Sequence, residues 1–234
     1  KLDVDRGPCT SSAFVFVSPH SLGATDRSAE AALMATAGKE MAYLTQFGQP
    51  ILPFRRQRRF GYQNRPQSPL SHVENLERFI EIAPFLLPKD PAQSRFCIRH
   101  PDLRYDNIIV ARSPDTGCEI VSLIDWQHAS ILPMFLLAGV PQQLQSHDDN
   151  ISQSTTPLYR PENLEALSEG ERDQQEYVYR QRVVNYHYHT STEQCNQRHY
   201  TALTDPLHAL RGRLFAQAGA PWEGETLELK LSLI

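Results

Sequence analysis

The sequence reads HPDLRYDN at residues 100–107 and LIDW at residues 123–126. Apolar runs begin and end the segment between these two stretches, and residues 113–117 (SPDTG) interrupt it. Proline, aspartate and glycine in this order are typical of a turn, so residues 108–124 are predicted to form a β-hairpin. A hairpin returns the chain to its starting point, so the two quoted stretches are expected to meet.

The polar residues of these stretches suggest phosphoryl-transfer chemistry. That reaction needs one carboxylate near the attacking hydroxyl and oxygen ligands that hold Mg²⁺ on the nucleotide phosphates. Asp102 can orient the hydroxyl and take its proton. Asn107 can turn its amide oxygen towards a metal, and Asp125 supplies the anionic oxygen that Mg²⁺ prefers. The hairpin places Asn107 and Asp125 at its two ends, where they can converge on one ion.

The same stretches carry a resemblance to a known family. Residues 100–107 resemble the catalytic loop of the protein-kinase-like superfamily, and residues 124–126 resemble the metal-binding segment of its aminoglycoside-phosphotransferase branch. Residues 123–139 and the tail at 198–234 are similar to a fungal group related to the altered-inheritance-of-mitochondria proteins. The resemblance covers residues 28–234.

This resemblance implies an α+β, mainly helical fold, namely a protein-kinase-like large (C-terminal) lobe with a small β-hairpin. It implies transfer of the γ-phosphoryl of a nucleoside triphosphate to a hydroxyl of a small molecule, with ATP and Mg²⁺ as cofactors. Asp102 is then the catalytic base, and His100 belongs to the catalytic loop and braces it. Asn107 and Asp125 are the metal ligands. The acceptor is not identified.

The lobe that covers the nucleotide is expected to be absent. It needs a strand lysine behind a flexible loop, yet upstream of residue 100 the chain offers Lys1, Lys39 and Lys89 alone. None of these lysines lies in a predicted strand that follows a glycine-rich turn. The predicted division is therefore an irregular N-terminal segment at residues 1–27 and a C-lobe at residues 28–234.

Two functions remain open at this stage. One is an incomplete phosphotransferase, and the other is a non-catalytic kinase-like protein with a binding or mitochondrial-maintenance role. A glycine-rich turn and strand lysine upstream of Lys1 would favour the first. An isolated large lobe would expose the apolar surface that meets its missing partner, so self-association through that surface is expected.

Composition limits the partners and the compartment. The net charge of −4 gives no electrostatic reason to expect nucleic acid. The arginines of residues 55–59 (RRQRR) are interpreted as a solvated loop or a patch for an acidic substrate, with nucleic-acid binding as the alternative. The apolar run at residues 131–140 falls short of the ~20 residues that span a membrane, so no membrane is expected. Four scattered cysteines are predicted to be reduced thiols in an intracellular protein, with mitochondria suggested by the relatives alone.

Several helices are also predicted from apolar spacing and caps. A helix at residues 28–47 ends at a glycine, and Ser71 with Glu74 suggests a capping box. Further helices are expected at residues 161–167 and 176–189 and after residue 206.

Three histidines and one cysteine fall close together near the end of the last predicted long helix. The spacing of His187, His189, Cys195 and His199 matches no compact zinc site, so surface histidines are preferred to a metal centre. No G-x-S-x-G motif is found, which argues against a serine hydrolase.

Overall fold

The computed structural model describes residues 28–113, 117–145 and 167–234, together with the backbone of residues 14–16. The chain divides into two compact units. The first unit contains residues 98–131 and 138–203, with residues 1–15 of the N-terminus. The second contains residues 16–97, 132–137 and 204–234. The segment at 1–27 lies outside the described residues except for one short strand, so the predicted division at residue 28 stays a prediction.

Helices dominate the described chain. The helices are α1 (Ala29–Phe47), α2 (Leu70–Ile82), α3 (Met134–Leu137), α4 (Glu169–Cys195), α5 (Gln197–Leu203), α6 (His208–Gly219) and α7 (Leu227–Ser232). The strands are β1 (Phe14–Phe16), β2 (Phe96–Arg99), β3 (Ile108–Ser113), β4 (Gly117–Leu123) and β5 (Ile131–Pro133). One sheet has the order β1-β2-β5, and the other is the β3-β4 pair. This confirms the predicted α+β, mainly helical class.

Helix α1 begins where the sequence predicts. The Ser28 side chain accepts a hydrogen bond from the Ala31 N–H at 3.0 Å, which satisfies one of the unpaired donors of the first turn. The helix ends at Phe47, and the next N–H, that of Gly48, donates to the Leu44 carbonyl at 2.9 Å. The buried residues of α1 (Ala32, Leu33, Ala37 and Leu44) repeat at the spacing of one helical face.

The core of the second unit is built on that face. Leu33 packs in one cluster with Leu76 and Phe79 of α2 and with Leu214 of α6, and all four are fully buried. Burying side chains of this size stabilises a fold by about 1.5–3 kcal/mol each. Arg211 of α6 is also buried, and its charge is met by Asp205 at 2.7 Å.

The predicted hairpin is confirmed. Strands β3 and β4 are antiparallel, with Ile108 opposite Leu123 and Ser113 opposite Gly117, and an irregularity follows Ile109. Gly117 has φ +77°, a conformation that glycine adopts without the cost a side chain would bring. The apolar side chains of the hairpin, Ile109, Val110, Ile120 and Val121, are exposed.

The predicted cap of one helix needs correction. Ser71 does not cap α2, because the helix begins at Leu70 and the Ser68 hydroxyl accepts from the Leu70 N–H instead. A capping box does occur in α4, between Ser168 and Glu171. The hydrogen bonds from Ser168 lower the pKa of the Glu171 carboxyl. The helix predicted after residue 206 starts at His208, and the preceding residue, Leu207, is exposed.

The helices predicted at residues 161–167 and 176–189 have different outcomes. The first lies outside the described residues except for its last position. The second falls within α4, which is longer than the apolar spacing indicated.

Two further predictions concern the state of the cysteines and membrane-spanning helices. The prediction of reduced thiols holds for Cys97 and Cys118 and is wrong for Cys195, which is disulfide-bonded. Pairing depends on distance in space, which the spacing of cysteines along the chain does not reveal. In the part of the chain that the structure describes, no helix has the length and apolar character needed to cross a membrane.

Candidate active site

Residues 100–107 lie in a loop between strands β2 and β3. Strand β2 ends at Arg99, and residues 100–107 follow it directly. A single 3₁₀ turn, Tyr105–Asn107, then leads into β3. Because strands fix both ends of the loop, its polar residues are held on a rigid support.

His100 is the buried anchor of this loop, with 2% of its surface exposed. Its Nε2 lies 2.7 Å from the carbonyl of Ile124, and its Nδ1 accepts from the Asp102 N–H at 3.3 Å. These partners select the neutral tautomer with the proton on Nε2, since a carbonyl oxygen can only accept. The ring also contacts the edge of Trp126, with 4.8 Å between centroids. His100 therefore contacts backbone with both nitrogens and acts as a brace.

Asn107 is buried beside the same loop. Its Nδ2 donates to the Asp102 carbonyl at 2.8 Å, which leaves Oδ1 as the side-chain atom available to a metal. The backbone of Asn107 accepts from the Ile124 N–H at 3.0 Å and so closes the hairpin.

Together these contacts form a closed ring of four hydrogen bonds. It runs from Asp102 to Asn107, from Asn107 to Ile124, from Ile124 to His100, and from His100 back to Asp102. The ring joins the loop to the residue immediately before Asp125. The structure thus brings together the segments that carry all four predicted site residues.

Asp125 has an unusual backbone. Its φ is +64°, in the left-handed region that costs a residue with a side chain about 1 kcal/mol or more. Within the described residues its carboxylate has no hydrogen bond or ion pair. The next residue is fixed, because the Trp126 indole N–H donates to the Leu123 carbonyl at 3.0 Å. The Asp125 carboxylate is therefore accessible to a ligand, while contacts of Ile124 and Trp126 hold the backbone on either side of it.

The carboxylate of Asp102 is half exposed. Arg104 lies near it, with 3.1 Å between the arginine Nε and Oδ2. Exposed ion pairs contribute about 0–1 kcal/mol, so a substrate group can displace this arginine at little cost.

A cavity of about 570 Å³ opens beside Asp102. One wall is made by Arg99 at the end of β2 and by residues 100–104 of the loop. The other is made by Val140, Pro141, Gln142, Gln143 and Gln145. The walls are tied together, since the Tyr105 N–H donates to Gln143 Oε1 at 3.1 Å. Sequence reasoning missed the second wall, although three glutamines directly after an apolar run were a visible signal.

Helix α4 supports this second wall. Asn185 is buried and donates from Nδ2 to the Leu144 carbonyl at 2.9 Å. The Tyr188 hydroxyl donates to the Gly139 carbonyl at 3.1 Å. Burial raises the pKa of the Tyr188 phenol, so the hydroxyl keeps the proton that it donates. Tyr188 thus supports the second wall.

The arginine run has acidic neighbours. Arg55 and Arg58 both contact Glu228, at 3.0 and 3.1 Å, and Arg58 also lies 3.4 Å from Glu225. Two of the four arginines of this run are therefore paired with glutamates. The expectation of no nucleic-acid binding stays a prediction.

His187, His189 and Cys195 lie on α4, and His199 lies on α5. In the described residues, no group of three or more histidine, cysteine, aspartate and glutamate side chains is arranged to hold a metal ion. His199 is buried, and its Nε2 accepts from the Gly139 N–H at 3.4 Å. The prediction of a surface histidine is therefore wrong for His199, whose contacts fit a structural role.

Comparison with known proteins places these observations in context. The model of the phosphotransferase enzyme family (APH) matches residues 12–135. Two subtelomeric hrmA-associated cluster proteins from two strains of Aspergillus fumigatus are each 30% identical to the chain over 252 residues. Those alignments cover 100% of this chain and 47% of each relative, so the chain spans about half the length of these proteins. No solved structure matches the chain.

Proposed function

The chain belongs to the phosphotransferase enzyme family, and we propose that the loop at residues 100–107 and Asp125 form its phosphoryl-transfer site. The proposed reaction moves the γ-phosphoryl of ATP, or of a similar nucleoside triphosphate, to a hydroxyl of a small molecule. The observation that carries this proposal is the closed ring of four hydrogen bonds, because it holds a candidate base and two candidate metal ligands on one support.

The side chains present fit Mg²⁺. Asn107 offers Oδ1 and Asp125 offers a carboxylate without a protein partner in the described residues. Mg²⁺ in nucleotide sites takes one or two such ligands and completes its shell with phosphate oxygens and water. A cluster of three acidic or histidine side chains is therefore not required. Bound there, the ion would neutralise charge on the phosphates.

Asp102 is the proposed base. Its carboxylate would accept the proton of the acceptor hydroxyl as the hydroxyl oxygen bonds to the γ-phosphorus and the bond to the nucleoside diphosphate breaks. The Arg104 guanidinium that now meets Oδ2 must yield to the hydroxyl, which the exposure of both groups permits. His100 does not touch the reacting atoms in this scheme. It positions Asp102 and the segment that precedes Asp125.

The cavity beside Asp102 is the proposed acceptor site. Its walls carry glutamine amides from Gln142, Gln143 and Gln145 and guanidinium groups from Arg99 and Arg104. Such a lining favours a polar acceptor rich in hydrogen-bonding groups over an apolar one.

Calorimetric titration with Mg·ATP tests the proposal. Asp125→Asn removes the charge and keeps a side chain that tolerates φ +64°. We expect saturable binding by the wild type and at least about a tenfold weaker Kd in this variant, because one charged metal ligand is lost. Asp106→Asn is the matched control, since Asp106 is an exposed loop aspartate close to the same site. Equal binding by wild type and Asp125→Asn, or no binding by a folded wild type, would contradict the proposal.

A further inference from the structure

Residues 51–70 combine many arginines with exposed apolar side chains. The segment contains five arginines and no aspartate, glutamate or lysine. Phe54 and Phe60 flank the arginine run at residues 55–59, and they are 75% and 77% exposed. Both phenylalanines belong to the second unit, whereas the residues of the proposed phosphoryl-transfer site belong to the first. The proposed reaction therefore does not account for this surface.

Hydrogen bonds within this segment close it into a loop. The backbones of Ile51 and Gln67 exchange two hydrogen bonds, of 3.2 and 2.8 Å. Between them, Arg59 Nε donates to the Pro53 carbonyl at 2.8 Å and so crosses the loop. We call residues 51–67 the arginine loop. These contacts are internal to the arginine loop, so its exposed side chains stand on a defined backbone.

A 3₁₀ helix at the centre of the arginine loop sets the direction of its side chains. It spans Arg56–Phe60, and side chains three positions apart in such a helix lie on one face. Arg55, at its start, and Arg58 both contact Glu228 of α7, at 3.0 and 3.1 Å. That face is therefore turned towards α7. The positions on the two other faces are Arg56, Gln57, Arg59 and Phe60.

Three arginines of the arginine loop have no acidic partner within the described residues. They are Arg56, Arg59 and Arg65, of which the first and last are exposed. The backbone of Phe54 is fixed, because its N–H donates to the Glu223 carbonyl at 2.8 Å, while its ring stays in solvent. The arginine loop thus presents cationic groups together with two apolar rings.

We propose that the arginine loop binds the surface of a membrane that contains anionic lipids. The phosphate and carboxylate groups of the lipids pair with the guanidinium groups that have no acidic partner. Phe54 and Phe60 enter the boundary between the headgroups and the acyl chains, where aromatic rings are favoured. Such contact is peripheral and involves no membrane-spanning segment. The inference is independent of the phosphoryl-transfer proposal, since it uses none of its residues.

The apolar side chains favour a membrane over nucleic acid as the partner. The net charge of the chain is −4, so binding to a polyanion needs a contribution besides charge. Ile51 and Leu52 are 42% and 39% exposed, and aliphatic side chains offer no ring on which a base can stack. A lipid surface accommodates both kinds of side chain, because an apolar layer lies beneath its anionic headgroups.

Co-sedimentation of the chain with lipid vesicles tests the proposal. One set of vesicles is phosphatidylcholine alone, and the other contains about 30% phosphatidylserine, which is anionic. We expect the chain to bind the phosphatidylserine vesicles at least about fivefold more tightly than the neutral ones. A folded wild type that does not bind the phosphatidylserine vesicles, or that binds both sets equally, would overturn the proposal.

Removal of the two aromatic rings tests the apolar part of the contact. The double variant Phe54→Ser/Phe60→Ser should bind phosphatidylserine vesicles at least about tenfold more weakly, because both rings leave the boundary layer. Phe85→Ser is the matched control, since Phe85 belongs to the same unit, is 84% exposed and lies outside the arginine loop. It should change the binding by less than about twofold. Equal losses in the two variants would mean unspecific adhesion and would reject the proposed surface.

Removal of two exposed charges tests the electrostatic part. Arg56→Gln/Arg65→Gln should weaken binding to phosphatidylserine vesicles at least about fivefold, because each arginine near an anionic surface attracts it. Arg213→Gln is the matched control, since Arg213 is an exposed arginine of α6 in the same unit, and its effect should stay below about twofold. Thermal unfolding shows that each variant is folded. Unchanged binding in the folded double variant would contradict the proposal.

A single-stranded DNA of about 20 thymidines separates the two kinds of anionic partner. We expect this strand, at a phosphate concentration equal to that of the lipid, to leave the chain on the phosphatidylserine vesicles. Displacement of the wild type by the strand would assign the arginine loop to nucleic acid and would reject the membrane proposal.

Discussion

Replacing His100 by phenylalanine tests the ring of four hydrogen bonds directly. Phenylalanine keeps an aromatic ring against Trp126, where the centroids are 4.8 Å apart. It removes both ring nitrogens, so the Ile124 carbonyl and the Asp102 N–H each lose a partner. The backbone ladder of the hairpin itself is untouched. The substitution therefore removes the two hydrogen bonds of His100 and leaves the hairpin strands as they are.

The expected loss follows from these two contacts. A buried polar group without a partner costs about 1–3 kcal/mol. The bond to the Ile124 carbonyl is short, at 2.7 Å, so its loss should carry the full free-energy cost. The bond from the Asp102 N–H is 3.3 Å long, so its loss should cost less. We expect the free energy of unfolding to fall by about 2–3 kcal/mol.

Urea denaturation measures this loss, and amide hydrogen exchange locates it. Exchange at Asp102 and Ile124 should accelerate in His100→Phe. His187→Phe is the matched control, because His187 is exposed on α4, and its effect should stay within about 0.5 kcal/mol. Unchanged stability and unchanged exchange in His100→Phe would show that the ring of hydrogen bonds does not hold the loop.

Three further outcomes are expected. Asn107→Asp replaces the donor facing the Asp102 carbonyl with a second acceptor, so it should lower the free energy of unfolding by about 1–3 kcal/mol in urea denaturation. Burial lowers the pKa of His72 from 6.5 to about 4, so as the pH falls through this window the unfolded chain binds the proton first and stability is lost. From pH 7 to pH 5 the wild type should lose about 2 kcal/mol more than His72→Gln, and equal losses would contradict this. Arg211→Met removes the cation that pairs with the Asp205 carboxylate, so the free energy of unfolding should fall by about 3–5 kcal/mol in urea denaturation. Arg213→Met, on the exposed side of α6, should lower it by less than about 0.5 kcal/mol.

Local signals predicted the elements whose cause is local. The hairpin was predictable because turn chemistry at residues 113–117 separates two apolar runs, and the start of α1 because Ser28 caps its own helix. Ser71 misled because the helix already begins at Leu70, so Ser71 lies inside its first turn rather than at its cap. A serine followed three residues later by a glutamate does not by itself fix where a helix begins.

Features with a distant cause were not predictable from the sequence. The second wall of the cavity depends on Asn185 and Tyr188, which lie about forty to fifty positions further along the chain. The brace was predictable as a role for His100, whereas its partner, the Ile124 carbonyl, depends on the register of the hairpin. The disulfide of Cys195 likewise depends on proximity in space.

The position of the metal in the nucleotide complex can be measured directly by NMR. Mn²⁺ can replace Mg²⁺, and its unpaired electrons broaden the NMR signals of nearby amides. With Mn·ATP, we expect selective broadening of the amides of Asn107 and Asp125 in the wild type, and loss of that broadening in Asp125→Asn. Broadening that spares both amides, or that persists unchanged in the variant, would contradict the claim that these residues hold the metal of a phosphoryl-transfer site.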